Sequence, residues 1–175
     1  MSKDQKPIIQ KVNGMAPFIG EHTFIAPNAT ILGDVHIGTN CSIWHQAVLR
    51  GDVGRILIGD QTNIQDGAIL HSTTGKSRVT IGNRVTVGHR AIVHGCTIHD
   101  EALIGMGSIV LDNAVIEKGA VVAAGAVVLE NTLVPAGTIW AGVPAKQVKK
   151  LDPKKSVEMM KKMAAGYVAY KDWYE

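Results

Sequence analysis

A six-residue period governs most of this 175-residue chain and leaves few folds open to it. Aliphatic side chains recur at every sixth position as Ile19, Ile25, Ile31, Ile37, Ile43 and Leu49, as Ile58, Ile64 and Leu70, and as Ile81, Val87 and Val93. They continue from Ile98 through Ile104, Val110, Ile116, Val122, Val128 and Val134 to Trp140. Four residues after most of them stands a small or β-branched residue, among them Ala29, Val35, Cys41, Ala68, Ala91, Ser108 and Ala120. Six matches neither the 3.6-residue turn of a helix nor the two-residue alternation of a flat strand. It matches short strands joined by sharp corners. Three such faces close a coil of eighteen residues, and coils stacked at the spacing of paired strands, about 4.8 Å, bury each other's inward side chains. The period therefore predicts an all-β solenoid, with the aliphatic residue inward and the small residue near a corner.

Three breaks interrupt the count. Leu49 to Ile58 is nine residues, Leu70 to Ile81 is eleven, and Val93 to Ile98 is five. The second break contains the polar stretch Ser72-Thr73-Thr74-Gly75-Lys76. The pairs Gly33-Asp34, Gly59-Asp60 and Gly82-Asn83 read as corners that use positive φ. Residues 1–18 read as a lead-in, 19–145 as the solenoid, and 146–175 as a terminal helix packed on its outside. Asp152-Pro153 supplies a cap and first-turn pair, and Val157, Met160, Ala164, Tyr167 and Val168 follow helical spacing.

Net charge is +3, and eight of the eighteen basic residues lie between Lys146 and Lys171, where they read as the solvated face of that helix. No aromatic-rich groove accompanies them, which argues against nucleic acid as a partner. No segment has the length and apolarity of a membrane span, and the first residues carry no apolar signal region. With only Cys41 and Cys96, both read as small buried hydrophobes, the expected setting is reducing and cytoplasmic.

Four of the seven histidines, His22, His36, His45 and His99, read as surface or corner residues. The other three fall where the count has meaning. Leu70 to Val93 is twenty-three residues, and without the five-residue insertion it is one coil. His71 and His94 each follow their inward residue by one, so they are expected to stack as parallel imidazoles about 5 Å apart, suited to one metal. His89 lies around a corner, and a neighbouring subunit of a three-fold assembly could supply it to that pair. The same count sets Arg50 below His71 and Asp66 below His89, with Gln65 beside Asp66. Arg50 and Asp66 are poised to meet across such an interface.

Arg50-Gly51-Asp52, Gln65-Asp66, His71 and the His89-to-His94 spacing resemble the signature of the γ-class carbonic anhydrases, hexapeptide-repeat proteins that fold as a left-handed parallel β-helix with a C-terminal α-helix. The resemblance implies His71, His89 and His94 as ligands of zinc, with iron or cobalt possible, at the interfaces of a homotrimer. It implies interface ion pairs for Arg50, Asp52 and Asp66, and contact with water or bicarbonate for Gln65 and Asn63. Tyr167 is the candidate for a helix tyrosine that approaches the site. The implied activity is reversible hydration of carbon dioxide at the trimer interface. This chain departs from the family in one respect: Val53 follows Asp52, no acid occurs between Asp66 and Asp100, and the loop after His71 is basic, so no acidic proton shuttle is evident.

Three other functions fit parts of the pattern. Relatives with this sequence pattern hydrolyse thioesters. Hexapeptide acyltransferases share an ending like Gly142-Val143-Pro144-Ala145-Lys146 but use a single histidine as general base. A weakly active metal-binding assembly protein would need no proton route.

Overall fold

The computed structural model describes residues 6–174, and the period becomes a parallel β-solenoid. One face is a ladder of seven parallel strands, from Phe24–Ile25 through Asn63–Ile64 and Thr86–Val87 to Thr138–Ala141. The other two faces share long strands that bend over a corner, Thr30–Ile37 and Val48–Ile58. One face then continues as Ile69–His71, Ile92–His94, Ile109–Val110 and Val127–Val128. The solenoid starts inside the lead-in segment, because Ile8–Gln10 pairs in parallel with Thr30–Leu32.

Burial follows the count. From Ile31 to Val134 every repeat aliphatic is buried, and the small residues Ala29, Cys41, Ala68, Ala91, Ala102 and Ala126 are fully so. Ile19, Ile25 and Trp140, at the two ends, are only partly covered, as expected where one neighbouring coil is missing. A buried Ile or Val contributes about 1.5–3 kcal/mol. The thin core is thus a stack of many similar increments.

The corner glycines correct one expectation. Gly33 does have positive φ (+75°), but Gly59 and Gly82 do not. They are glycine because coils approach too closely for a side chain. A Cβ on Gly59 would lie 2.7 Å from the Gly82 carbonyl carbon, and one on Gly82 would lie 2.7 Å from the Asp100 nitrogen. The left-handed conformation moves instead to Gln61 and Arg84, two residues further on, and recurs at Glu101 on the next coil.

The terminal segment is not helical throughout. Lys146–Lys150 forms an antiparallel strand on Thr138–Ala141, and the helix runs Pro153–Tyr170. Asp152 caps it, accepting from the backbone N–H groups of Lys154 (2.9 Å) and Lys155 (3.0 Å). Ser156, Met160 and Ala164 form the buried stripe, and the Ser156 hydroxyl donates to the Gly119 carbonyl at 2.7 Å. The helix lies on the seven-stranded face and packs Tyr167 edge-on to Trp44, with centroids 5.7 Å apart. It is not long and apolar enough to cross a membrane. Beneath this cover the outward-facing Asn63 and Gln65 become buried.

Candidate metal centre

His71 and His94 end neighbouring strands and sit in register. Their rings are not parallel, as stacking alone predicts, but tilted by 58° with centroids 5.4 Å apart. Each ring has turned toward its own carboxylate. Nε2 of His71 lies 3.1 Å from Oδ1 of Asp52, and Nδ1 of His94 lies 3.1 Å from Oδ1 of Asp112. The remaining nitrogens, Nδ1 of His71 and Nε2 of His94, face each other at 3.3 Å. A carboxylate partner assigns an N–H to each outer nitrogen. Two lone pairs then point at one spot, and only a cation, either a proton or a metal, relieves that opposition.

Asp52 is held by Arg50 within the same chain. Burial opposes its charge, but Arg50 and His71 outweigh that cost and keep the carboxyl below its usual range. Asp112, only 4 % exposed, is held by the hydroxyls of Thr73 (2.8 Å) and Ser77, both in the insertion after His71. Burial again opposes the charge, and Ser77, Thr73 and His94 together keep it below the usual range. The one-residue deletion makes this approach possible. Val93 pairs with Val110 and Ile98 with Ile116, so five steps on one coil face six on the next. A Cβ on Gly95 would strike both Asp112 and Ser77.

His89 stands on the seven-stranded face, with its Nδ1 2.9 Å from Oδ2 of Asp66 one coil below. It does not join His71 and His94 within the chain. Among the described residues, no group of three or more His, Cys, Asp or Glu side chains forms a metal cage. Cys96 is buried, its thiol pushed up to about 12 by desolvation, which makes it a poor ligand. The donor set nevertheless fits zinc. Tetrahedral Zn–N bonds of 2.0–2.1 Å put two ligand nitrogens about 3.3 Å apart. Each candidate ligand also has its other nitrogen on a carboxylate, the usual arrangement of metal-binding histidines.

Gln65 and Tyr167 line a cavity of about 340 Å³ beside His89, between the solenoid and the terminal helix. The Gln65 amide is fixed twice: Nε2 donates to Oδ1 of Asn63 (3.0 Å) and Oε1 accepts from the His89 backbone N–H (3.2 Å). Asn63 is not on the cavity wall. It is 1 % exposed and donates to Thr86 Oγ1 at 2.9 Å, so it stands behind Gln65 as a support. Desolvation raises the Tyr167 hydroxyl above its ordinary pKa, and Asp66 adds to the shift.

Comparison with known proteins gives the family of the chain. Residues 16–51 and 95–130 match the family described as bacterial transferase hexapeptide (six repeats). The chain is 43% identical to a carbonic anhydrase of Geobacillus kaustophilus, covering 96% of this chain and 91% of that protein. It is 41% identical to a probable carbonic anhydrase of Methanocaldococcus jannaschii, with 90% and 98% covered. The chain belongs to the γ-carbonic anhydrase family.

Mitochondrial γ-carbonic anhydrases 1 and 2 of Arabidopsis thaliana are each 44% identical over 82% of the chain, which spans about half the length of those relatives (54% and 53%). Among solved structures, a putative acetyltransferase from Bacillus cereus superposes with a TM-score of 0.91 at 39% identity, covering 97% of both chains. The fold of the γ-carbonic anhydrase family, a left-handed parallel β-helix, accounts for the seven coils and the terminal helix. Within this member the sequence reading overlooked Asp112. A signal existed: Val93 pairs with Val110, so Asp112 falls beside His94 on the next coil, as Asp66 falls beside His89 on the coil before. The basic loop also has an acid beside it, since Lys76 reaches Glu130 at 2.9 Å.

Proposed function

We propose that this chain is a metal-dependent enzyme that reversibly hydrates carbon dioxide, working as a homotrimer in a reducing, cytoplasmic compartment. The observation that carries the reading is the facing pair His71 Nδ1 and His94 Nε2, with both outer nitrogens committed to carboxylates. His89 of an adjacent subunit would complete the ligand set. Its Nδ1 is already on Asp66, which leaves Nε2 for the metal. The three imidazoles would hold zinc, or iron or cobalt in its place, which would supply Lewis acidity to activate water at neutral pH, an effect for which carbonic anhydrases are the reference case.

The chain's own residues do the rest. Gln65 is locked by Asn63 and the His89 backbone, so its remaining N–H donates to a substrate oxygen, and its remaining lone pair accepts from an O–H of water, without reorganising. Arg50 and Asp52 orient His71, and the exposed part of Arg50 is available to a neighbouring subunit. Tyr167 closes the helix side of the cavity, and desolvation keeps its hydroxyl protonated, so it retains an O–H to donate. The test is hydration of carbon dioxide by metal-loaded and chelator-stripped protein. Turnover that vanishes on stripping and returns with zinc, iron or cobalt is expected; equal rates would overturn the reading. A second reading, thioester hydrolysis by the same centre, is favoured by one observation. The cavity beside Gln65 is larger than carbon dioxide needs, and Met106, Met163, Ala123 and Ala124 line it. A thioesterase assay on the same loaded protein separates the two.

A further inference from the structure

The insertion of five residues after His71 breaks the repeat, carries no acid and is not explained by the coil it interrupts. Its side chains have a common target. Thr73 Oγ1 and Ser77 Oγ both donate to Asp112, and Lys76 Nζ lies 3.7 Å from the same carboxylate. The Ser77 hydroxyl also accepts from the Thr73 backbone N–H at 3.1 Å, which closes the loop on itself. Asp112 in turn has one ring to act on, His94 at 3.1 Å. A buried carboxylate satisfied by two hydroxyls does not need a histidine, so its position on Nδ1 calls for an explanation.

We propose that Asp112, braced by Thr73 and Ser77, is the positioning residue for His94: it fixes the Nδ1–H tautomer and aims Nε2 at His71, so the insertion serves to preset a metal ligand. The inference rests on the reading of His71 and His94 as ligands. A carboxylate behind a histidine raises ligand basicity and removes the ring-flip freedom that binding would otherwise have to freeze. Asp52 does the same for His71, so both ends of the pair are fixed before the metal arrives.

The test is zinc affinity of the assembled protein, measured by competition with a chromophoric chelator, alongside the melting temperature of the metal-free form. Asp112→Ala should weaken zinc by about 10- to 100-fold, the range for loss of a ligand's outer partner. Asp112→Asn should lose much less, because its carbonyl oxygen still accepts from Nδ1–H. Ser77→Ala should fall between them, with a metal-free melting temperature near that of the unaltered protein. His94→Ala is the reference for the site itself. If His94→Ala binds zinc as tightly as the unaltered protein, the metal reading fails and takes this inference with it. If His94→Ala loses zinc while Asp112→Ala keeps full affinity, only the brace is wrong. Losses that track melting temperature across the series would also overturn it, as they mark a merely structural role. Should Asp112→Ala not fold, Asp112→Asn and Ser77→Ala decide: unchanged affinity in both contradicts the proposal.

Discussion

At the scale of single residues, the most buried carboxylates among the described residues are Asp112 and Glu101, each held by partners from other coils. Glu101 shows this away from the histidines. It is 1 % exposed, in left-handed conformation, and meets Arg84 (2.7 Å), Lys118 (3.0 Å) and Lys161 (3.8 Å). Burial disfavours its charge, but Arg84 and Lys118 more than compensate and hold the carboxyl below its ordinary range. A depressed folded pKa stabilises fully above the unfolded value, about 4.3, and that contribution is lost as pH falls through the lower folded value. Glu101→Gln should therefore cost about 1.5–3 kcal/mol at neutral pH, toward the low end because the three cations are partly solvated. The gap from the unaltered protein should narrow in acid below about pH 4. Thermal unfolding across that range checks it; a gap independent of pH would show that charge plays no part. Nothing in the sequence singles out Glu101, because three of its partners come from different coils and the helix. The pairs His71 with His94 and Asp66 with His89 were legible because the count alone brings each pair together.

At the scale of elements, the period gave strands and coils but not the reason for each glycine. Spacing marks Gly59 and Gly82 as corners, while the need for glycine there comes from the coil stacked against them, which sequence reading does not measure. The distinction is open to test. Gly82→Ala drives a Cβ into backbone and should cost about 3 kcal/mol. Gly107→Ala meets nothing within 4 Å and bears only the strain of φ +64°, about 1 kcal/mol. Equal losses of thermal stability in the two variants would contradict the close-approach account. The terminal helix was legible from its cap and apolar spacing. The preceding strand was not, since the lysine-rich segment 146–150 is exposed at every residue and carries no buried alternation.

At the scale of the whole molecule, one chain places His71 with His94 and, apart from them, His89 with Gln65, and the proposed function reads these as two halves of one centre. In the proposed trimer, a closed three-fold ring would turn every interface into one complete site, because each subunit would offer the first half to one neighbour and the second half to the other. The measurement that tests this most directly is the zinc content of hybrid trimers. His89→Ala chains keep the first half, and His94→Ala chains keep the second. Alone, each variant should retain little zinc. Co-expressed in equal amounts, they should recover about a quarter of the unaltered content, since one interface in three of every mixed trimer is whole. Zinc in the mixture no higher than in either variant alone would contradict a centre shared between subunits.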